Sequence, residues 1–225
     1  MALKQHFTAF VFGIIGILAF APFSIKPLIL VSYAYLIRTI LFENIHTLKK
    51  LISWSIGYWG FGMSWLIVSV YYYGETSILI SLVIFFLLTL FLTLCFGLPL
   101  IALKYRLFSG KVESKHLKIL SISSLLILFE LSRYYLLNGV PWLIPGTVFL
   151  DTPLHSIYSL VGVTGGSFIV YLIATSIAIL WEHRYKIFFG SLVLFIPIID
   201  KNERTEFDLN VSIIQPSSDP FQKYN

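Results

Sequence analysis

Apolar residues in this chain fall into long runs rather than alternating or forming narrow stripes. The runs occupy positions 7–21, 27–42, 51–73, 77–103, 119–137, 156–181 and 187–199. A bilayer core is about 30 Å thick and needs roughly 20 apolar residues per helical crossing. The run from Ser77 to Leu103 carries no charge and is the surest span. The first, second and seventh runs are short. Pro22 and Pro27 bracket a turn between the first two, which predicts a hairpin of short or tilted helices there. Pro197 ends the seventh run. The pattern predicts an all-α polytopic membrane helix bundle of about seven transmembrane helices over residues 1–199.

The polar positions between the runs set an orientation. With the N-terminus in the cytoplasm, eleven Lys and Arg fall on the inner side and five on the outer. Three of those five lie beyond residue 200. Basic loops stay inside, so the N-terminus is expected in the cytoplasm. An odd number of spans then delivers the C-terminal segment to the outer face. Lys4, the first run and Ala19-Phe20-Ala21 also have the form of a signal peptide. Pro22 directly after that site disfavours cleavage, and the orientation of the other spans is the same either way.

Composition agrees with the pattern. Hydrophobic residues make up 57% of the chain and charged residues 12%, against roughly 25% charged in ordinary soluble domains. A mean hydropathy of +0.85 excludes a soluble globular enzyme with a polar surface. The net charge of +5 does not indicate nucleic acid, because the basic residues sit in short loops between apolar runs.

Residues 200–225 turn polar and are expected to form a periplasmic tail. Within them Leu209–Gln215 reads as a β-strand bounded by Pro216, Ser217 and Ser218. A lone strand has no ladder partner. The tail is therefore either disordered or the first strand of a further domain.

Candidate chemistry is sparse. No two of the five histidines share a metal-ligand spacing, and no metal and no cofactor is expected. Cys95 lies among Leu, Thr and Phe of the fourth run, where a thiol is inert, and it has no second cysteine to pair with. Gly57, Gly60 and Gly62 follow no strand, so they do not form a phosphate loop. Together with Gly13, Gly16, Gly162 and Gly166 they are expected to let helix backbones approach closely.

Glu130 and Arg133 stand out, because ionisable residues inside a span are costly. Three residues apart on one helix face, they fit either a structural ion pair or a lipid-headgroup or substrate role. Arg133 is near enough to the outer end to snorkel to the headgroups. The following loop, with Gly139, Pro141, Trp142 and Gly146, is apolar for an exposed loop. It fits an aromatic-belt loop or a re-entrant element beside a lipid entry path.

These residues carry a resemblance. Glu130-Leu-Ser-Arg133, Gly139-Val-Pro141-Trp142 and Gly146 resemble the E-x-x-R…G-[FV]-P-W-x-x-x-G pattern of bacterial apolipoprotein N-acyltransferases. Phe20-Ala21-Pro22-Phe23 resembles the first turn of that family. Gly62-Met-Ser-Trp65 through Tyr73-Gly74 is similar to its third span and the loop after it. Gly162-Val-Thr-Gly165-Gly166-Ser-Phe168 is similar to its sixth span. Val211-Ser-Ile-Ile-Gln215-Pro216 is similar to the opening strand of its nitrilase-like domain.

The resemblance implies a bacterial inner-membrane protein with a membrane phospholipid as acyl donor and a diacylglyceryl apolipoprotein as acceptor. In the family a nitrilase-like α/β domain on the outer face carries a Glu–Lys–Cys triad. Cys is the nucleophile, Glu the general base, and Lys steadies the developing oxyanion. Those positions fall beyond residue 225, so no catalytic residue is carried over, and Cys95 is not a substitute. The resemblance thus implies the N-terminal membrane half of such an enzyme, truncated one strand into an incomplete nitrilase-like domain. That half alone is expected to be inactive. A split gene with a separate nitrilase-like partner chain and a gene remnant both fit. The alternative, from a different class, is a small polytopic transporter or membrane scaffold using Glu130 and Arg133. Such proteins often show internal repeats, and none is visible here.

Overall fold

The computed structural model describes residues 2–43, 46–108, 114–135, 139–197 and 212. Among the described residues the regular structure is helical. Helix α1 (Ala2–Ile17) and α2 (Leu28–Phe42) are joined by the Pro22–Pro27 turn, where the Ile25 N–H reaches back to the Leu18 carbonyl at 2.8 Å. Helix α3 (Thr47–Ser55) runs on through a π-helical turn (Ile56–Gly60), and α4 (Trp65–Tyr72) follows at 63°. Helix α5 (Ile78–Leu107) is the longest, and the Ser77 hydroxyl caps it by accepting the Ile80 N–H at 3.3 Å. Helix α6 (Lys115–Tyr135) leads to two short 3-10 turns, Pro145–Phe149 and Pro153–Ile157, each opened by proline. Helix α7 (Tyr158–Ile179) and α8 (Arg184–Ser191) complete the set.

Each of the seven apolar runs contains helix among the described residues. Two stretches, α5 and Pro153–Ile179, are long and apolar enough to cross a membrane. The bent pair Thr47–Gly60 and Trp65–Tyr72 makes a third if it is one span. The run 51–73, expected as one helix, is thus broken between Gly60 and Trp65. The strand expected at Leu209–Gln215 lies outside the described residues, apart from Ser212.

The core is aromatic and draws on five segments. Tyr33 of α2 contacts Trp54 at 5.5 Å, Tyr58 at 5.6 Å and Tyr171 of α7 at 5.3 Å, all edge-on. Trp54 and Tyr58 stack at 4.7 Å. Trp59, Phe96 of α5 and Phe129 of α6 extend the cluster at 5.0–6.1 Å. Lipid tails are as apolar as these side chains, so burial from water does not drive helix against helix. Close packing and ring geometry do, at about 0.5–1.5 kcal/mol per aromatic pair.

Buried hydroxyls add direction. Ser32 of α2 donates to the Phe12 carbonyl of α1 at 2.7 Å and accepts the Trp54 indole N–H of α3 at 3.1 Å. One side chain thus ties three helices. Ser123 of α6 and Thr175 of α7 meet at 3.3 Å. By contrast α5 leaves Leu79, Ile80, Val83, Phe86 and Leu87 exposed, because it is apolar on all sides and packs on only one.

The glycines divide. Gly13 and Gly57 face each other across α1 and α3: a Cβ on Gly13 would meet the Trp54 carbonyl, and one on Gly57 the Phe10 carbonyl. Gly62 lies against Ile17 and Leu143, and Gly166 lies against the backbone of Gly146. Gly60 meets only its own helix, at 3.6 Å from Ile56. Gly162 has open space around it and a φ of +66°, and it kinks α7 rather than packing.

Candidate functional site

The end of α1, the starts of α2 and α4 and the segment between α6 and α7 meet at one end of the bundle. The loop after α6 closes that end. Its shape comes from local chemistry: Gly139 takes φ +90°, and the Val140 N–H returns to the Arg133 carbonyl at 3.2 Å. Tyr58 donates its hydroxyl to the Leu143 carbonyl at 3.2 Å. The Gly146 N–H donates to the Ser167 hydroxyl at 2.8 Å, and the Tyr158 hydroxyl donates to the Gly146 carbonyl. Gly146 sits against the Val163 carbonyl and the Ser167 N–H, so no side chain fits there. The loop is therefore fastened to α7 and the π-helical turn at several points.

Glu130 and Arg133 lie beneath this loop and are 0% and 5% exposed. They do not pair with each other. Glu130 Oε2 accepts the Tyr171 hydroxyl at 3.0 Å, while an Arg133 Nη donates to the Trp142 carbonyl at 3.4 Å. Both point into protein, Glu130 towards α7 and Arg133 towards the loop. Arg133 therefore does not snorkel outwards; the loop covers it, and its guanidinium lies 5.7 Å from the Phe129 ring. Glu130 Oε1 and Arg133 Nε have no hydrogen-bond partner. A buried ionised group in that state is expensive, which marks the pair as a polar seam inside an apolar bundle.

Above the seam is a cavity of about 370 Å³. The Phe20–Lys26 turn, Gly62, Trp65, Trp142, Leu143 and Thr147–Asp151 surround it. Trp142 is 38% exposed and meets Trp65 edge-on at 5.1 Å. Lys26 and Asp151 bridge the mouth at 3.4 Å. Of the five site residues read from sequence, Trp142 lines the cavity. Arg133 holds the backbone of Trp142, Glu130 sits deeper against Tyr171, Gly139 shapes the loop, and Pro141 is exposed on it. Trp65, Lys26, Asp151, Tyr171 and Ser167 were not read as site residues. Single aromatic, charged or hydroxyl residues scattered over the chain carry no local pattern. No group of three or more potential metal ligands occurs among the described residues.

Known proteins match this chain in sequence over most of its length. The family described as the apolipoprotein N-acyltransferase N-terminal domain matches residues 12–176. The apolipoprotein N-acyltransferase of Haemophilus influenzae is 31% identical over 175 residues, covering 74% of this chain and 31% of that protein. The Haemophilus ducreyi enzyme is 32% identical over 169 residues, covering 74% and 32%. The Vibrio parahaemolyticus enzyme is 29% identical over 201 residues, covering 88% and 38%. The chain spans about a third of the length of these curated relatives. The cavity-lining turn from Phe20, the Gly62–Trp65 bend and the Glu130–Gly146 loop all fall inside the matched residues, and the chain belongs to the apolipoprotein N-acyltransferase family through its N-terminal domain.

Proposed function

We propose that this chain is the membrane domain of an apolipoprotein N-acyltransferase, with seven helices crossing the bacterial inner membrane over residues 1–199. The N-terminus lies in the cytoplasm, and residues 200–225 lie in the periplasm as the start of a nitrilase-like domain. That domain, continuous with this chain or supplied by a partner chain, carries the acyl transfer. Its donor is a membrane phospholipid and its acceptor the N-terminal diacylglyceryl-cysteine of a lipoprotein.

One observation carries the reading most directly. The segment after α6 that resembles the family supplies Trp142 and Leu143 to a cavity, lined also by Phe20 and Trp65, at the end where the expected orientation puts the outer face. Trp142 and Trp65 suit the headgroup level, and the cavity volume falls in the range that ligand sites occupy. In this reading Arg133 holds the Trp142 backbone in place and Glu130 anchors α6 to α7. Neither performs chemistry.

Complementation tests it. In a strain depleted of its own N-acyltransferase, residues 1–225 alone are expected not to restore growth or lipoprotein N-acylation. Co-expression with a nitrilase-like domain from a relative is expected to restore both. N-acylation by the purified 225-residue chain without any companion overturns the assignment of chemistry to the separate domain.

A further inference from the structure

At the opposite end of the bundle is a second and larger cavity, about 880 Å³, that the proposed function does not use. It lies between α2, α7 and α8. Its floor is Val31, Ala34 and Tyr35 of α2 beside Phe12 of α1, with Arg38 and Phe42 of the same α2 stripe at the mouth. The α2 positions are three to four residues apart, so they share one face. From Arg38 down to Val31 the stripe is roughly 10 Å long at 1.5 Å per residue, about a third of a hydrocarbon core about 30 Å thick. It therefore reaches partway into one leaflet.

Its rim is built differently. Arg38 and Arg184 both stack on the ring of Trp181, their guanidinium carbons 4.0 and 4.6 Å from its centroid. Arg38 also covers Phe42 at 5.0 Å, and Arg184 covers Tyr185 at 4.3 Å. Arg38 donates to the Ala178 carbonyl at 3.0 Å and Arg184 to the Trp181 carbonyl at 2.8 Å. Each guanidinium carries five N–H donors, so each keeps donors for a ligand. Among the described residues no carboxylate lies within ion-pair distance of either.

Two acidic groups are near. Glu43 lines the rim, but it pairs with Lys50, and its carbonyl accepts the Lys104 ammonium at 2.7 Å. Glu182 is exposed beside Trp181 and does not line the cavity. The rim is thus a cationic pair held flat on an aromatic face above an apolar trough.

We propose that this groove holds one anionic phospholipid, with its phosphate between Arg38 and Arg184 and an acyl chain along Val31, Ala34 and Tyr35. Planar guanidinium groups fixed by stacking suit phosphate oxygens better than mobile ammonium groups. The trough length suits the headgroup-proximal part of an acyl chain, whose remainder continues into the bilayer. The proposal rests on the bundle lying in a membrane and is independent of acyl transfer. The lipid is resident rather than a substrate, because the groove is at the far end from the cavity under Trp142.

Native mass spectrometry of the purified 225-residue chain tests it. The chain is delipidated in a neutral detergent and titrated with phosphatidylglycerol or phosphatidylcholine of the same chain length. The wild type is expected to retain phosphatidylglycerol in preference. Arg38→Gln/Arg184→Gln is expected to lower that retention about tenfold. Lys4→Gln/Lys115→Gln, the same charge change elsewhere, leaves it unaltered. Val31→Trp, which fills the trough and keeps both arginines, is expected to lower it as well, so a misfolded arginine variant does not remove the test. Circular dichroism and gel filtration report folding for each. Equal retention of both lipids, unchanged retention in Val31→Trp, or displacement of the lipid by equimolar inorganic phosphate overturns the proposal.

Discussion

Glu130 is the residue on which the interior of the bundle is most exposed to error. It is fully buried, one oxygen accepts from Tyr171, and the other has no partner. Tyr171→Phe removes that donor and is expected to cost about 1–2 kcal/mol. Glu130→Gln is expected to cost less, because an amide oxygen still accepts from Tyr171 and no charge remains to be buried. In Glu130→Leu/Tyr171→Phe the two losses overlap, so the double variant is less destabilised than the sum. Unfolding in detergent micelles measures these variants and Glu130→Leu alone, and strict additivity of Glu130→Leu and Tyr171→Phe would disprove the coupling. Glu130 itself was readable as unusual from sequence alone. Tyr171 was not, because 41 residues separate the two and nothing local marks one tyrosine among thirteen.

At the scale of elements, glycine chemistry separates into packing and conformation. Gly13→Ala pushes a Cβ into the Trp54 carbonyl and is expected to cost about 1–3 kcal/mol by forcing α1 from α3. Gly162→Ala has room for the methyl group yet is expected to cost about 1–3 kcal/mol, because its backbone conformation suits only glycine. Gly190→Ala meets neither obstacle and is expected to stay within about 0.5 kcal/mol of the parent. Thermal midpoints in micelles distinguish the three, and equal shifts for Gly13 and Gly190 would remove the tight crossing.

Helix positions were legible, since an uncharged run such as Ser77–Leu103 has few other ways to satisfy its backbone in lipid. Helix α5 continues to Leu107 past the expected end of the fourth run, because Lys104 and Arg106 extend the helix with long apolar stems. The bend between Gly60 and Trp65 was not legible, because the glycines there read as packing residues. Which glycine packs depends on what lies opposite, and hydropathy says nothing of that. The same limit applies to the groove: Arg38 and Trp181 meet only once α2 and α7 lie together.

For the whole molecule the number of crossings turns on the last helices. Helix α8 and the short 3-10 turn after it, Leu192–Phe195, rise roughly 20 Å together. That is less than the core of about 30 Å, so a seventh crossing needs local thinning or a tilted neighbour to complete it. Labelling of intact cells with a membrane-impermeant maleimide decides it, after Cys95→Ala removes the native thiol. Ser24→Cys is expected to react from outside and Lys115→Cys only after permeabilisation. Glu203→Cys is expected to react from outside. Its protection would leave an even number of crossings and place the tail in the cytoplasm.

Helix α5 adds a constraint of another kind. Its apolar stretch from Ile78 to Leu103 measures roughly 39 Å. Fitting that into a core of about 30 Å asks for a lean of about 40°, the upper end of what spanning helices adopt. Since α5 packs on one side only, little protein resists a change in that lean. A thicker bilayer stands α5 more upright and a thinner one lays it flatter. Ser77 and the connected α4 rise or sink with it, so membrane thickness itself sets how far this edge of the bundle projects.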